Sequence, residues 1–174
     1  ILDNSIINKT KKFILNKEQL QALNFLETKN TGFNVSVLQG TTGSGKTLVY
    51  FERIKKIIKK NYQALVLLPE IFLTNDFKSR FEEYFGFEPA VWHSKITPKQ
   101  KRVIWKGVIN NNIKILVGAR SALLLPFKKL GIIIVDEEHD SSYKQDEGVI
   151  YNARDMAISR ASFEKIPIHL VTSV

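Results

Sequence analysis

Two short stretches of the chain combine residue types that could do chemistry together. The first is GTTGSGKT, residues 40–47, which fulfils the spacing G-x-x-x-x-G-K-[ST]. Along Gly40, Thr41, Thr42, Gly43, Ser44 and Gly45, the glycines let backbone N–H groups turn inward around phosphates, where Cβ atoms would obstruct the approach. Lys46 would reach the β and γ phosphates, and Thr47 would offer its hydroxyl to Mg²⁺. The second is IIIVDEEHD, residues 132–140, where an apolar run passes straight into acidic residues and a histidine. Asp136, where the run ends, suits a carboxylate that holds the same ion, partly through water, and Glu137 is placed to orient or deprotonate an attacking water. Charge would concentrate there because the bound complex carries magnesium. Glu138 and His139 follow; His139 reads either as a contact linking nucleotide state to a polymer site or as a polar turn residue.

Such residues need a scaffold that brings them together, and the pattern of the chain supplies one. Short apolar runs alternate with helical stretches. Strands are expected at FNVSVLQ, ALVLL, PAVWH, IKILV, GIIIV and IHLVT. Between them, LNKEQLQALNFLE opens with Asn16 and Gln19 as a capping box and sets Leu20, Leu23 and Leu26 along one stripe. KTLVYFERIKKIIKK turns Phe51, Ile54, Ile57 and Ile58 inward and its lysines outward, and LTNDFKSRFEEYF stops at Gly86. TPKQKRVIWKGVI starts on Thr97, Pro98 and Gln100, and ARDMAISRASF precedes the last strand. This alternation implies an open, mostly parallel sheet with helices on both faces, whose ligands gather at the carboxyl ends of the strands. With the phosphate loop, the fold class is an α/β nucleotide-hydrolase domain.

Composition narrows the partners. The 174 residues carry 26 basic against 17 acidic side chains, a formal charge of +9, which favours a polyanion such as nucleic acid. There is no cysteine, which removes disulfides, thiol catalysis and cysteine-type zinc sites and fits a reducing compartment. The lack of a long apolar run or a signal peptide reads as cytoplasmic, with no membrane partner. The first residue is not methionine and HLVTSV ends inside an expected strand, so residues 1–174 read as one unit of something longer. Trp92 and Trp105 suggest packing in a core or interface, and His169 a satisfied or edge histidine within its strand.

GTTGSGKT with DEEH resembles the signature pair of superfamily-two helicases of the DExH type. LLPEIFLT, WHSKIT with RVIW, VGARSALLLPF, VDEEHDSSYKQDEG and YNARDMAISRA narrow the likeness, in the same order, to the first RecA-like motor domain of the PriA family of primosomal replication-restart helicases. The resemblance covers residues 14–174. It implies a DNA motor that hydrolyses ATP with Mg²⁺, works on single-stranded and forked DNA and travels 3′ to 5′. It also implies that other primosome proteins and single-stranded-DNA-binding protein are met through parts of the polypeptide outside this chain.

Position by position, the resemblance makes Gln19 the reader of the adenine edge, beside its plain capping role. It makes Pro69, Glu70 and Thr74 a segment facing single-stranded DNA, where a simple strand-to-helix turn is the alternative. Gly118, Arg120 and Ser121 match a loop that grips the DNA backbone, with Arg120 a phosphate contact or a surface ion-pair partner. Tyr143 and Lys144 match a loop that couples DNA binding to hydrolysis, or they sit on a solvated loop. Glu138, His139 and Ser173 match relay positions. VTSV departs from the family's GSAT element, and Val149 and Asn152 stand where an aromatic and a histidine are common, which weakens the expected stacking. Without the partner motor domain that carries the arginine fingers in this family, little activity is expected of the isolated chain. Two other readings stay open: a nucleotide-gated DNA-binding module that never turns over, and a different superfamily-two nucleic-acid motor.

Overall fold

The computed structural model describes residues 13–28, 32–40, 45–137 and 152–173. Among them, six strands form one sheet: β1 Asn34–Gln39, β2 Gln63–Leu67, β3 Ala90–Trp92, β4 Ile115–Gly118, β5 Leu130–Val135 and β6 Pro167–Thr172. Each lies where an apolar run predicts it. Every pairing is parallel and the order is β1-β6-β5-β2-β4-β3. Parallel strands need crossovers; α2 Lys46–Lys59, α3 Asn75–Phe85, α4 Pro98–Ile109 and α5 Ala153–Glu164 lie in four of them, a 3₁₀ turn at Arg120–Leu124 lies in the one from β4 to β5, and α1 Lys17–Glu27 precedes β1.

The inner strands are buried on both faces, which is why their sequences are continuously apolar rather than alternating. Side chains still alternate between faces. Ala64 and Val66 join a core with α1, α2 and α3, while Leu65 and Leu67 join a second core with α4 and α5. In the first core the Phe51 ring sits among Phe77, Phe81, Tyr84 and Phe85, with ring centroids 5.1–6.1 Å away. Burying one such ring contributes about 1.5–3 kcal/mol, which fixes α3 beside the start of α2. On the second face, Ala153, Ala157 and Ala161 let α5 lie close to the sheet.

Local signals set the helix starts. Asn16 and Gln19 form the expected capping box on α1, and Thr97 and Gln100 form the one on α4. Thr74 caps α3 by accepting from the Phe77 N–H, and α3 ends at Gly86 in the left-handed conformation. The lysines of α2 face outward as expected, Lys56 pairing with Glu27 of α1.

Two expectations are corrected, and for Trp105 the core alternative gives way while the interface one stands. Leu20 is 48% exposed although Leu23 and Leu26 are buried, because a spacing of three drifts about 60° per step around a helix, so three such residues leave a narrow buried face. Trp105 is 46% exposed, whereas Trp92 is half-buried against the second core; α4 covers the edge of the sheet with Ile104 and Val108 and turns Trp105 away. His169 is neither an edge residue nor satisfied: β6 lies between β1 and β5, the side chain is fully buried, and neither ring nitrogen has a hydrogen-bond partner among the described residues.

That burial pushes the His169 imidazole down to about 3, and the neighbouring Arg53 charge adds to the effect. Below a pH of about 6.5 the unfolded chain therefore takes up a proton that the folded chain refuses. Stability falls by about 1.4 kcal/mol per pH unit on this account alone as pH drops below that value. Urea unfolding at pH 7 and pH 5 should show wild type losing about 2 kcal/mol more than His169→Leu. Other titrating groups, the raised Asp136 among them, cancel in that difference. Identical pH dependence in the two proteins would remove this reading.

Candidate nucleotide site and adjoining cleft

Four ends of chain meet at one end of the sheet. β1 runs out at Gln39, and the Gly40 N–H donates to the Thr172 carbonyl at 3.2 Å, which holds the exit of β1 against β6. At the far side of the loop Gly45 has φ +80°, and a Cβ there would lie 2.0 Å from the Gln19 amide nitrogen. Glycine takes that left-handed conformation without strain and leaves room for the Gln19 amide. α2 starts directly after it, so Lys46, Thr47 and Tyr50 share a face one turn apart and look toward the tip of β5. There the Asp136 N–H donates to the Leu67 carbonyl at 2.9 Å, continuing the ladder for one residue before the chain turns.

The result is a cleft of about 400 Å³ lined by Gly45, Lys46, Thr47, Asp136, Glu137 and Ser173, with Phe13, Phe51 and Tyr84 on its apolar side. The two stretches that open the sequence reading thus converge. Lys46 Nζ donates to the Gly40 carbonyl at 2.7 Å. Asp136 is 8% exposed, and burial pushes its carboxyl up to about 6. The Tyr50 O–H and the Glu137 N–H, which donate to its two oxygens at 2.7 and 2.8 Å, pull the other way, as does the Lys46 charge. Glu137 has φ +52°, a left-handed conformation that a non-glycine residue adopts at a cost, and the bond from its N–H to Asp136 helps to hold it there. The Ser173 hydroxyl donates to Glu137 Oε2 at 3.4 Å, so the residue after β6 touches the acidic pair.

Tyr50 is the residue that sequence reasoning missed. Its signal was its position four residues after Lys46 on a helix beginning at the phosphate loop, but a tyrosine among Val49, Phe51 and Ile54 reads as core. Tyr50→Phe should lower stability by about 2 kcal/mol, because a buried carboxylate loses a donor. Urea unfolding at neutral pH measures this, and an unchanged midpoint would show that the bond contributes nothing.

Gln19 is committed at both ends of its amide: Oε1 accepts from the Asn16 N–H at 2.9 Å and Nε2 donates to the Gly45 carbonyl at 3.1 Å. Its capping role is therefore present, and the same side chain braces the phosphate loop without lining the cleft. Thr41, Thr42, Gly43, Ser44, Glu138, His139, Tyr143 and Lys144 lie outside the described residues.

A second cleft opens over the ends of β2, β3 and β4, lined by Pro69, Glu70, Ile71, Ser94, Arg120 and Ser121 with Ala119. Residues far apart in sequence meet here because β4 lies between β2 and β3. A Cβ on Gly118 would lie 2.7 Å from Ala122 Cβ and 2.9 Å from the Trp92 carbonyl, so glycine lets β4 turn sharply beside β3. Glu70 Oε1 accepts from both the N–H and the hydroxyl of Ser94, at 3.2 and 2.9 Å. These bonds, together with the charges of His93 and Lys95, hold its carboxyl below its ordinary range. Arg120 has no acidic partner among the described residues, and its buried Nη1 has no acceptor. Thr74 stands apart, its hydroxyl accepting from the Phe77 N–H at 3.2 Å.

For a magnesium ion the donors in the first cleft fit. Thr47 and Asp136 offer hard oxygens, and no group of three or more His, Cys, Asp or Glu exists among the described residues. An ion that keeps waters and takes the rest of its shell from phosphates needs no more. No described helix is long and apolar enough to cross a membrane.

The family model for DEAD/DEAH box helicases matches residues 16–171. The chain is 47% identical to the replication restart protein PriA of Rickettsia felis over 91% of its own length and 24% of that protein's. It is 46% identical to the PriA of Haemophilus influenzae over 90% of its length and 21% of that protein's. It thus spans about a quarter of the length of the curated relatives it matches. Among solved structures, RecG bound to a three-way DNA junction superposes with a TM-score of 0.67 at 23% identity, over 97% of this chain and 22% of that one. The helicase MrfA follows with a TM-score of 0.64 at 22% identity, over 98% and 28%. The parallel sheet with helices on both faces is therefore the RecA-like fold of these motors.

Proposed function

Because the chain belongs to the DEAD/DEAH box helicase family and is similar over nine-tenths of its length to the replication restart protein PriA, we propose that it is a RecA-like motor domain. In this reading residues 1–174 hydrolyse ATP to move a longer, cytoplasmic polypeptide 3′ to 5′ along single-stranded DNA at forks. One observation carries it: Lys46 and Thr47 from the start of α2 line the same cleft as Asp136 and Glu137 from the tip of β5.

Each residue then has a physical task. The loop N–H groups and the positive end of α2 receive the phosphates, and Lys46 adds a full charge where negative charge builds up. Thr47 and Asp136 would hold magnesium, which when bound neutralises phosphate charge. Glu137 orients the attacking water and accepts its proton. Ser173, bonded to Glu137, sits where a change at the end of β6 is felt by the reacting pair. Gln19 sets the loop, and the second N–H and remaining lone pair of its amide are what we assign to adenine recognition. The second cleft, with Pro69, Glu70, Gly118, Arg120 and Ser121, takes the DNA backbone, Thr74 flanks it, and Tyr143 and Lys144 add contacts. Glu138 and His139 relay between the two. Other primosome proteins and single-stranded-DNA-binding protein are partners of the longer polypeptide.

The test is nucleotide turnover by the polypeptide as its gene encodes it, with and without single-stranded DNA or RNA. DNA stimulation that Lys46→Ala abolishes is the expected result. Stimulation by RNA alone would make this a different nucleic-acid motor, and binding without turnover would make it a gated binding module.

A further inference from the structure

The second cleft holds opposite charges that do not pair. Glu70 and Arg120 line the same cavity, yet no ion pair joins them. An exposed carboxylate next to a guanidinium ordinarily turns to it, since the fork of N–H groups matches two carboxylate oxygens and a serine offers far less. Here Glu70 is instead held by both the N–H and the hydroxyl of Ser94, and Arg120 Nη1 stays buried with no acceptor among the described residues. A donor without an acceptor is unfavourable, and Arg120 as a whole is half-buried at the wall of the cleft, so a small shift of its side chain would bring the guanidinium to an anionic acceptor there.

The place of the Ser94 bond matters as much as its strength. Glu70 leaves β2, Ser94 leaves β3, and β4 runs between those strands. The Glu70–Ser94 link therefore spans the end of β4, from which Arg120 emerges. The positive charge at Lys95 lies on the Ser94 side and favours keeping the carboxylate there.

We infer that Ser94 is a positioning residue that holds Glu70 away from Arg120, so that the guanidinium remains open to a phosphate oxygen of single-stranded nucleic acid. This rests on reading the second cleft as the DNA contact. Without the Ser94 hydroxyl, Glu70 loses its shorter bond and keeps only the one from the Ser94 N–H, so its carboxylate is released toward Arg120, where it would satisfy the guanidinium internally and add a negative charge to the path of the phosphates.

The experiment uses the gene-encoded polypeptide and a fluorescein-labelled oligothymidylate, with affinity followed by anisotropy over a series of salt concentrations. Ser94→Ala is expected to weaken binding about tenfold and to make the salt dependence shallower by about one phosphate contact. Ser94→Thr, which keeps the hydroxyl, should bind like wild type. The deciding variant is Ser94→Ala/Glu70→Gln, in which no carboxylate remains to quench Arg120; it should bind about fivefold more tightly than Ser94→Ala alone. A Ser94 that merely braced the loop would give no such rescue, so a double variant as weak as Ser94→Ala overturns the inference. So does a Ser94→Ala protein that binds normally while Arg120→Ala binds weakly. If Arg120→Ala itself binds DNA like wild type, the DNA reading of this cleft fails, and the inference with it.

Discussion

Glu137→Gln should lower nucleotide turnover by about 10²- to 10⁴-fold while leaving nucleotide affinity within a few-fold of wild type. The amide has nearly the shape of the carboxylate and can still meet the Ser173 hydroxyl, which lies 3.4 Å from Glu137 Oε2. It cannot accept a proton. A water held beside it would keep its place and lose its base, so the loss should appear in kcat and not in KM. The geometry makes the substitution a clean one. The left-handed backbone at Glu137 and its N–H bond to Asp136 are main-chain features that the amide leaves in place. The removed charge also relieves Asp136, whose carboxyl is raised in part by its neighbour, so nucleotide binding should not suffer. Single-turnover measurements with saturating nucleotide separate the chemical step from binding. A variant that turns over within about threefold of wild type would assign the base elsewhere.

What the sequence made legible follows the range of the interactions concerned. Apolar runs such as ALVLL and GIIIV mark buried parallel strands because both faces must be covered, and Thr97, Pro98 and Gln100 mark a helix start because a capping box acts over three residues. The phosphate loop and the acidic strand tip were legible for the same reason: each is a local pattern with a chemical purpose. Strand order is not local. Nothing near His169 says that β6 lies between β1 and β5, and so its complete burial beside Arg53 could not be foreseen. The same holds for Ser94 and Glu70, which meet only because β4 inserts between β2 and β3. Tyr50 falls between the two cases: its helical spacing from Lys46 was visible, but the partner that gives it meaning, Asp136, is 86 residues away.

Lys46→Ala should reduce turnover by about 10²- to 10³-fold, the scale found when one preorganised charge or donor is taken from a developing negative charge. Unlike the change at Glu137, it should also weaken nucleotide binding, because Lys46 attracts the phosphates before reaction as well as during it. The site explains why no neighbour can substitute. Lys46 Nζ is anchored on the Gly40 carbonyl at 2.7 Å at the mouth of the loop. It is the cation whose charge is felt at Asp136, and it faces two carboxylates. Arg80 also lines the cleft, but its Nε is 3.3 Å from Asp76 on the far helix. Without Lys46 the phosphates would face Asp136 and Glu137 with that compensation gone, and repulsion would add to the lost attraction. Lys46→Arg should recover little, since the lysine acts as a compact point charge at the end of a slender stem and the planar guanidinium fork is too broad for the same cradle. Nucleotide affinity by equilibrium titration and turnover by phosphate release together test this. Unchanged affinity and turnover in Lys46→Ala would mean that the convergence of Lys46 with the acidic pair is a feature of packing and not of chemistry.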